Sequence, residues 1–131
     1  MTTRELVQQH LDAANRYAFD ELSALSTDDV VMDMSRSLGP AQGVYRGIEE
    51  VTAFLESYVE TFESVVATPV DFYERGDWVV VEVHTRFRGR GSGAEAEAHG
   101  ARAYGVREGK VARYVLFQDM ESAREYVDAQ P

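Results

Sequence analysis

The sequence predicts one α+β domain over residues 1–131, a cone-shaped curved antiparallel sheet with N-terminal helices packed on its concave face. Two observations predict this class. Apolar residues recur at helical spacing early in the chain, and later they alternate with polar residues as in strands. Helices followed by a meander of long strands are the order typical of an α+β protein. A length of 131 residues suits a single domain with a modest core.

The first half of the chain predicts three helices and a short strand. Thr2 and Glu5 form a capping-box pattern ahead of an apolar stripe, which predicts the first helix. A short second helix is expected after Asp20, which can cap it. The segment VVMDM at 30–34 predicts a strand, and the apolar spacing over about 48–62 predicts the third helix.

The second half of the chain predicts strands near 65–74, 78–90, 95–107 and 110–118. The turns "ERGD" and "REGK" join neighbouring strands, so the four strands form a meander. A last short helix follows, and Asp119 can cap it.

Alternation along the strands predicts which side chains point into the cone. In the strand near 78–90, Val81 and Val83 alternate with Glu82 and His84, so the valines are expected inside. The inward set of the following hairpin is then Arg102, Tyr104, Val106, Tyr114, Leu116 and Gln118. A register slip of one residue would instead turn Arg102 to solvent.

The outer face of the same strands predicts a homodimer. Beside Glu82, this face carries basic and small residues: His84, Arg86, Arg88, Ala101, Ala103 and Gly105. In an acidic chain, the basic residues can meet a partner's carboxylates, and the small residues would let another sheet approach closely. We therefore expect a two-fold interface through this face.

Composition excludes several classes of partner and cofactor. The net charge of −10 disfavours nucleic acid and anionic membrane surfaces. The sequence has no cysteine, no metal-ligand spacing among its three histidines and no glycine-rich nucleotide loop, so no metal and no cofactor are expected. The N-terminal residues do not predict a signal peptide, and no apolar run is long enough to span a bilayer, so a cytoplasmic protein is expected.

Four segments resemble the nuclear transport factor 2-like superfamily, and within it the SnoaL-like proteins. They are "FDELSALSTDDVVMDMS", "GVYRGIEEVTAFL", "RFRGRGSG" and "VREGKVARYVLFQDMESA", and together they extend over nearly the whole chain. The resemblance implies the cystatin-like cone and a homodimer. The superfamily includes isomerases, cyclases, epoxide hydrolases, binding proteins and association modules, so the fold alone does not select a function.

The catalytic patterns of these relatives are mostly missing here. The resemblance places Met34, preceded by Asp33, where ketosteroid isomerases carry their aspartate base. It places His10 and Arg102 where those enzymes carry their two oxyanion donors. Leu116 takes the place of the catalytic aspartate of limonene epoxide hydrolases and SnoaL-type cyclases.

Three residues are nevertheless candidates for catalysis. His10 is either a pocket acid or hydrogen-bond donor, or a core histidine whose hydrogen bonds are satisfied. Asp33 is either a base displaced by one position, or an outward residue paired with Arg36 or Arg46. Arg102 is expected to bind an anionic or enolate oxygen.

The predicted function is an enclosed pocket for a small apolar, polyketide-like or steroid-like molecule. The pocket residues are expected to be Tyr17, Met32, Met34, Tyr58, Tyr104, Tyr114, Leu116 and Gln118. Cofactor-independent acid–base chemistry of isomerase, cyclase or hydrolase type would use this pocket. The alternatives are a non-catalytic binding protein and a dimerisation module, and the sequence does not decide whether the protein is an enzyme.

Overall fold

Residues 1–38 and 41–131 are described by a computed structural model, in which four helices and a six-stranded sheet form an α+β fold. The helices are α1 (Thr3–Asn15), α2 (Phe19–Ala24), α3 (Gly47–Thr61) and α4 (Met120–Asp128). The strands are β1 (Ser26–Asp33), β2 (Val44–Arg46), β3 (Phe62–Arg75), β4 (Trp78–Gly89), β5 (Glu95–Arg107) and β6 (Lys110–Phe117). The predicted α+β class is confirmed.

Two of the three predicted helix caps are present. The Thr2 hydroxyl accepts a hydrogen bond from the Glu5 amide, and the Glu5 carboxylate accepts one from the Thr2 amide, each at 3.1 Å. Asp119 accepts a bond from the backbone of α4 at 2.7 Å. The prediction for Asp20 is wrong, because α2 begins two residues earlier than expected, at Phe19, and Asp20 lies within its first turn. An acidic side chain there still favours the positive end of the helix dipole.

The sheet is mixed rather than wholly antiparallel. Its strand order is β2-β1-β6-β5-β4-β3, and the meander from β3 to β6 is antiparallel as predicted. The pairing of β1 with β6 is parallel. Parallel neighbours require a long connection, and here α3 and the meander provide it. Register shifts in β3 and between β5 and β6 interrupt the ladder, and such bulges bend a sheet.

Helix α4 covers part of the outer face of the sheet. Ala101 and Ala103 were expected to lie at a dimer interface on this face, and for these two residues the expectation is wrong. Ala101 and Ala103 have no exposed surface, and they pack in one cluster with Ala123 and Val127 of α4. A Cβ atom on Gly105 would come within 3.0 Å of the Trp78 ring. The small outward residues therefore make room for groups of the same chain, rather than for a partner's sheet.

A helix that spans a membrane must be both long and apolar. Within 1–38 and 41–131, no helix is long and apolar enough to cross a bilayer.

Candidate functional site

A cavity of about 380 Å³ lies between the inner face of the sheet and the helices α1 and α3. This volume falls within the range of small-molecule sites. Much of its wall is apolar, including Met32, Met34, Val51, Phe54, Val83 and Leu116. The fold leaves this space because the inward side chains of the curved sheet and those of the helices do not meet there.

The predicted strand register is confirmed. Arg102 pairs with Val81 on one side and Leu116 on the other, and Tyr104 pairs with Tyr114. All the residues that the sequence assigned to the site line the cavity, except Asp33: His10, Tyr17, Met32, Met34, Tyr58, Arg102, Tyr104, Tyr114, Leu116 and Gln118. Which of them binds or reacts with a molecule stays a prediction.

Asp33 lies on the face of β1 that points away from the cavity. Strand alternation turns Met32 and Met34 inward and Asp33 outward. Its carboxylate accepts bonds from the Ser35 amide at 3.0 Å and the Ser35 hydroxyl at 2.6 Å, and it lies 3.4 Å from the Arg36 guanidinium. Burial acts to raise the pKa of Asp33, but the Ser35 bonds and the Arg36 charge outweigh it and lower the pKa. Asp33 therefore cannot serve as a base inside the cavity, and its pairing with Arg36 is the alternative that the sequence left open.

The cavity wall is deficient in acids. Among the residues that the structure describes, no aspartate or glutamate lines it. The carboxylate bases and acids typical of related enzymes are therefore missing from the wall, as the resemblance had indicated.

Arg102 extends from β5 into the cavity as a cation without a carboxylate partner in 1–38 and 41–131. Among the same residues its buried Nε has no hydrogen-bond partner, and its Cζ lies 5.6 Å from the centroid of the Tyr114 ring. The side chain as a whole is half-buried because it borders the cavity. Burial acts to lower the pKa of Arg102, but the neighbouring Tyr114 and Tyr104 outweigh it, so the pKa is raised and the guanidinium stays charged.

Tyr104 packs between Arg102 and the first helix. Its side chain is fully buried, and its hydroxyl forms no hydrogen bond of normal geometry. Burial raises the pKa of Tyr104, although the charge of Arg102 opposes the shift. The phenol is therefore neutral at pH 7.

His10 presents a neutral imidazole of fixed tautomer. Its Nε2 lies 3.3 Å from the Ser26 hydroxyl, which donates its only hydrogen to the Leu22 carbonyl at 2.8 Å. Ser26 must therefore accept from Nε2–H, which leaves the lone pair on Nδ1, and Nδ1 has no partner among the residues that the structure describes. Burial, with a smaller contribution from the Arg102 charge, lowers the pKa of His10 to about 4. His10 is therefore not an acid at pH 7, in contrast to one of its predicted roles.

Three other predicted wall residues are tied to the surrounding structure. Tyr17 has a φ of 56°, a left-handed conformation that is strained for a side chain of this size, and its hydroxyl donates to the Phe62 carbonyl at 3.2 Å. Gln118 donates to the Arg36 carbonyl at 2.7 Å. Burial raises the pKa of Tyr58 to about 12, so its phenol is also neutral.

Asn15 and Phe54 are among the wall residues that the sequence analysis did not assign to the site. Asn15, at the end of α1, bonds to the amide and the carbonyl of Ala67 at 2.9 and 2.8 Å, and so fastens the helix to β3. Phe54 stacks on Tyr45, with the ring centroids 4.1 Å apart. The apolar spacing of α3 predicted that Phe54 lies on the inward side of the helix. The same spacing could have predicted that Phe54 lines a cavity between the helix and the sheet. No local signal marks Asn15.

Comparison with known proteins assigns the fold and the family. A family model described as "SnoaL-like domain" matches residues 7–114. A comparison with curated protein sequences found no match.

Several solved structures have the same fold. TerC, crystallised with polyporic acid, has a TM-score of 0.78 and 19% sequence identity, with 97% of this chain and 98% of that chain covered. A Mycobacterium tuberculosis protein in complex with estradiol-17β-hemisuccinate has a TM-score of 0.77 and 18% identity, with 91% and 95% covered. An NTF2-like protein from Burkholderia xenovorans LB400 has a TM-score of 0.74 and 22% identity, with 94% and 93% covered.

These identities are low, so the similarity of the structures establishes the fold alone. The family model extends over most of the sequence. The chain therefore belongs to the SnoaL-like domain family, within the NTF2-like fold that its sequence resembles.

Proposed function

We propose that the protein binds a small, largely apolar molecule in the cavity between the sheet and helices α1 and α3. The observation that carries the proposal is the cavity itself, with its volume of about 380 Å³ and its largely apolar wall. Two solved structures of the same fold hold polyporic acid and estradiol-17β-hemisuccinate, which supports a small-molecule role by analogy. A cytoplasmic location, expected from the sequence, is part of the same proposal.

Binding fits the wall better than catalysis does. Among the described residues the wall contains no carboxylate, and its two imidazoles are those of the buried His10 and the exposed His99. The wall therefore lacks the carboxylate that serves as general base or acid in the related enzymes. The non-catalytic binding protein is therefore the reading that we favour, ahead of the isomerase, cyclase or hydrolase chemistry.

A large side chain placed in the cavity should weaken the binding of a small apolar molecule. Ala14 lines the cavity from α1, so Ala14→Trp places the largest side chain inside it. We expect the neutral fluorescent probe N-phenyl-1-naphthylamine to bind the wild-type protein with enhanced emission. Ala14→Trp should weaken that binding at least tenfold, because the same space cannot hold both rings.

The matched control is Gln9→Trp, since Gln9 is an exposed residue of the same helix. This variant should bind the probe as the wild type does. Equal binding by the wild type and Ala14→Trp would contradict the proposed location, and failure of the wild type to bind would contradict the proposed function.

A homodimer through the outer sheet face is a second part of the proposal. Two arginines of this face already have partners within the chain, since Arg86 pairs with Glu97 at 3.5 Å and Arg88 with Glu63 at 3.2 Å, so they are less available to a partner's carboxylates. The face beyond α4 still carries the stacked rings of His84 and His99, whose centroids lie 4.4 Å apart. We expect light scattering at micromolar concentration to give the mass of two chains, and a monomer mass would count against the dimer.

A further inference from the structure

We propose that the cavity selects molecules that carry one ionised oxygen on an apolar skeleton, with Arg102 as their counter-ion. The ionised group would be a carboxylate, a phenolate or an enolate. This inference rests on the proposed function, since it names the class of ligand that the cavity takes.

Arg102 differs from most of the chain's arginines, which have a carboxylate partner. Eight arginines form ion pairs with carboxylates within 4.0 Å. The chain has 23 acidic residues and a net charge of −10, so carboxylates are abundant. Nevertheless Arg102, whose Nε is buried, has no carboxylate partner in the described part of the chain. A buried cation without a counter-ion is costly unless another group supplies the charge.

The polar groups around Arg102 do not neutralise its charge. Tyr104, Tyr114 and Tyr58 are neutral phenols, because burial raises the pKa of each hydroxyl. His10 is a neutral imidazole, so it adds no second positive charge. Among the residues that the structure describes, the Arg102 charge is therefore uncompensated, which favours a monoanion over a neutral molecule or a cation.

The cavity wall beyond Arg102 is apolar, and it limits the rest of the ligand to apolar groups. Leu116 is the strand neighbour of Arg102, and Met32, Val83 and Phe54 extend the apolar wall from there. A second charge on the ligand would be desolvated against these side chains without a partner. The expected ligand therefore has a single acidic group at Arg102 and an apolar body.

Without a bound anion, Arg102 should also lower the stability of the protein. A guanidinium with no counter-ion among the described residues destabilises the folded state, and methionine provides a similar aliphatic bulk without the charge. Arg102→Met should therefore raise the melting temperature of the ligand-free protein by several degrees. A residue with a purely structural role would lower it instead.

The test uses two probes of nearly equal shape, 2-naphthoate and 2-naphthamide. The first is an anion at pH 7 and the second is neutral. Calorimetric titration of the wild type should show at least about tenfold tighter binding of naphthoate, as expected for a charge-assisted hydrogen bond. Arg102→Met should lose this preference through weaker naphthoate binding, while its affinity for naphthamide is retained.

The control variant is Arg124→Met, which changes the net charge equally at an exposed position on α4. It should keep the preference for naphthoate. Equal affinity of the wild type for both probes would overturn the inference and leave the proposed function standing. If Arg102→Met bound both probes more weakly to the same extent, Arg102 would have a structural role, and the inference would again be overturned. Binding of neither probe by the wild type would overturn the proposed function together with the inference.

Discussion

Replacing Ala103 by aspartate is expected to destabilise the protein by about 4 kcal/mol or more. Ala103 has no exposed surface, and it lies under α4 in an apolar cluster with Val80, Val115 and Val127. An aspartate there is too short to reach water, so its charge would be buried without a partner and its extra atoms would crowd the helix. Chemical denaturation followed by circular dichroism would measure the loss.

The control for this prediction is Ala53→Asp, the same replacement at an exposed alanine of α3. It should change the free energy of unfolding by about 1 kcal/mol or less, because aspartate is only a slightly weaker helix former than alanine at an exposed position. If Ala103→Asp were as stable as Ala53→Asp, α4 would not cover the outer face, and Ala101 and Ala103 would again be available to a partner's sheet.

Alternation of apolar and polar residues made the inner wall predictable. In β4 and the β5–β6 hairpin the period of two runs without interruption past Arg102, Tyr104 and Leu116, so one assumption about the inner face fixed all of them. The same rule applied to β1 would have turned Asp33 outward, since Met32 and Met34 are the apolar residues on either side. The resemblance to related enzymes drew attention to Asp33, but a resemblance does not fix the face of a strand.

Contacts between distant elements could not be predicted from the sequence. Small residues at 101 and 103 are compatible with either a helix or a second sheet, and the sequence does not state which of the two covers them. The tautomer of His10 depends on Ser26, which belongs to another element and follows sixteen residues later. The parallel pairing of β1 with β6 likewise depends on where a long connection returns, and no local pattern encodes it.

The protein is expected to lose stability on acidification because of His10. An unfolded chain binds a proton at this residue near its ordinary pKa of about 6.5, whereas burial lowers the pKa in the folded protein to about 4. Well above pH 7, both states are neutral and the residue contributes almost no pH dependence. Between these two pKa values the unfolded state alone takes up the proton, so the free energy of unfolding falls as the pH falls.

The loss in free energy of unfolding follows from the two pKa values of His10. A comparison of pH 7.5 with pH 5 isolates the contribution of this residue. The loss should reach about 2 kcal/mol at pH 5 and about 3 kcal/mol once the pH falls below 4. At pH 5 the carboxylates with lowered pKa, such as Asp33 and Asp119, are still ionised and do not contribute. The denaturant midpoints of the wild type and of His10→Gln are measured at both pH values. The fall in stability of the wild type minus the fall in the variant gives the contribution of His10.

In His10→Gln this part of the pH dependence should disappear, whatever the variant's stability at pH 7.5. His84 and His99 are present in both proteins, so their contributions cancel. An equal fall in both proteins would mean that the folded protein protonates His10 as readily as the unfolded chain does. The imidazole would then be a second cation beside Arg102. The assignment of a neutral His10, with its lone pair on Nδ1, would be wrong.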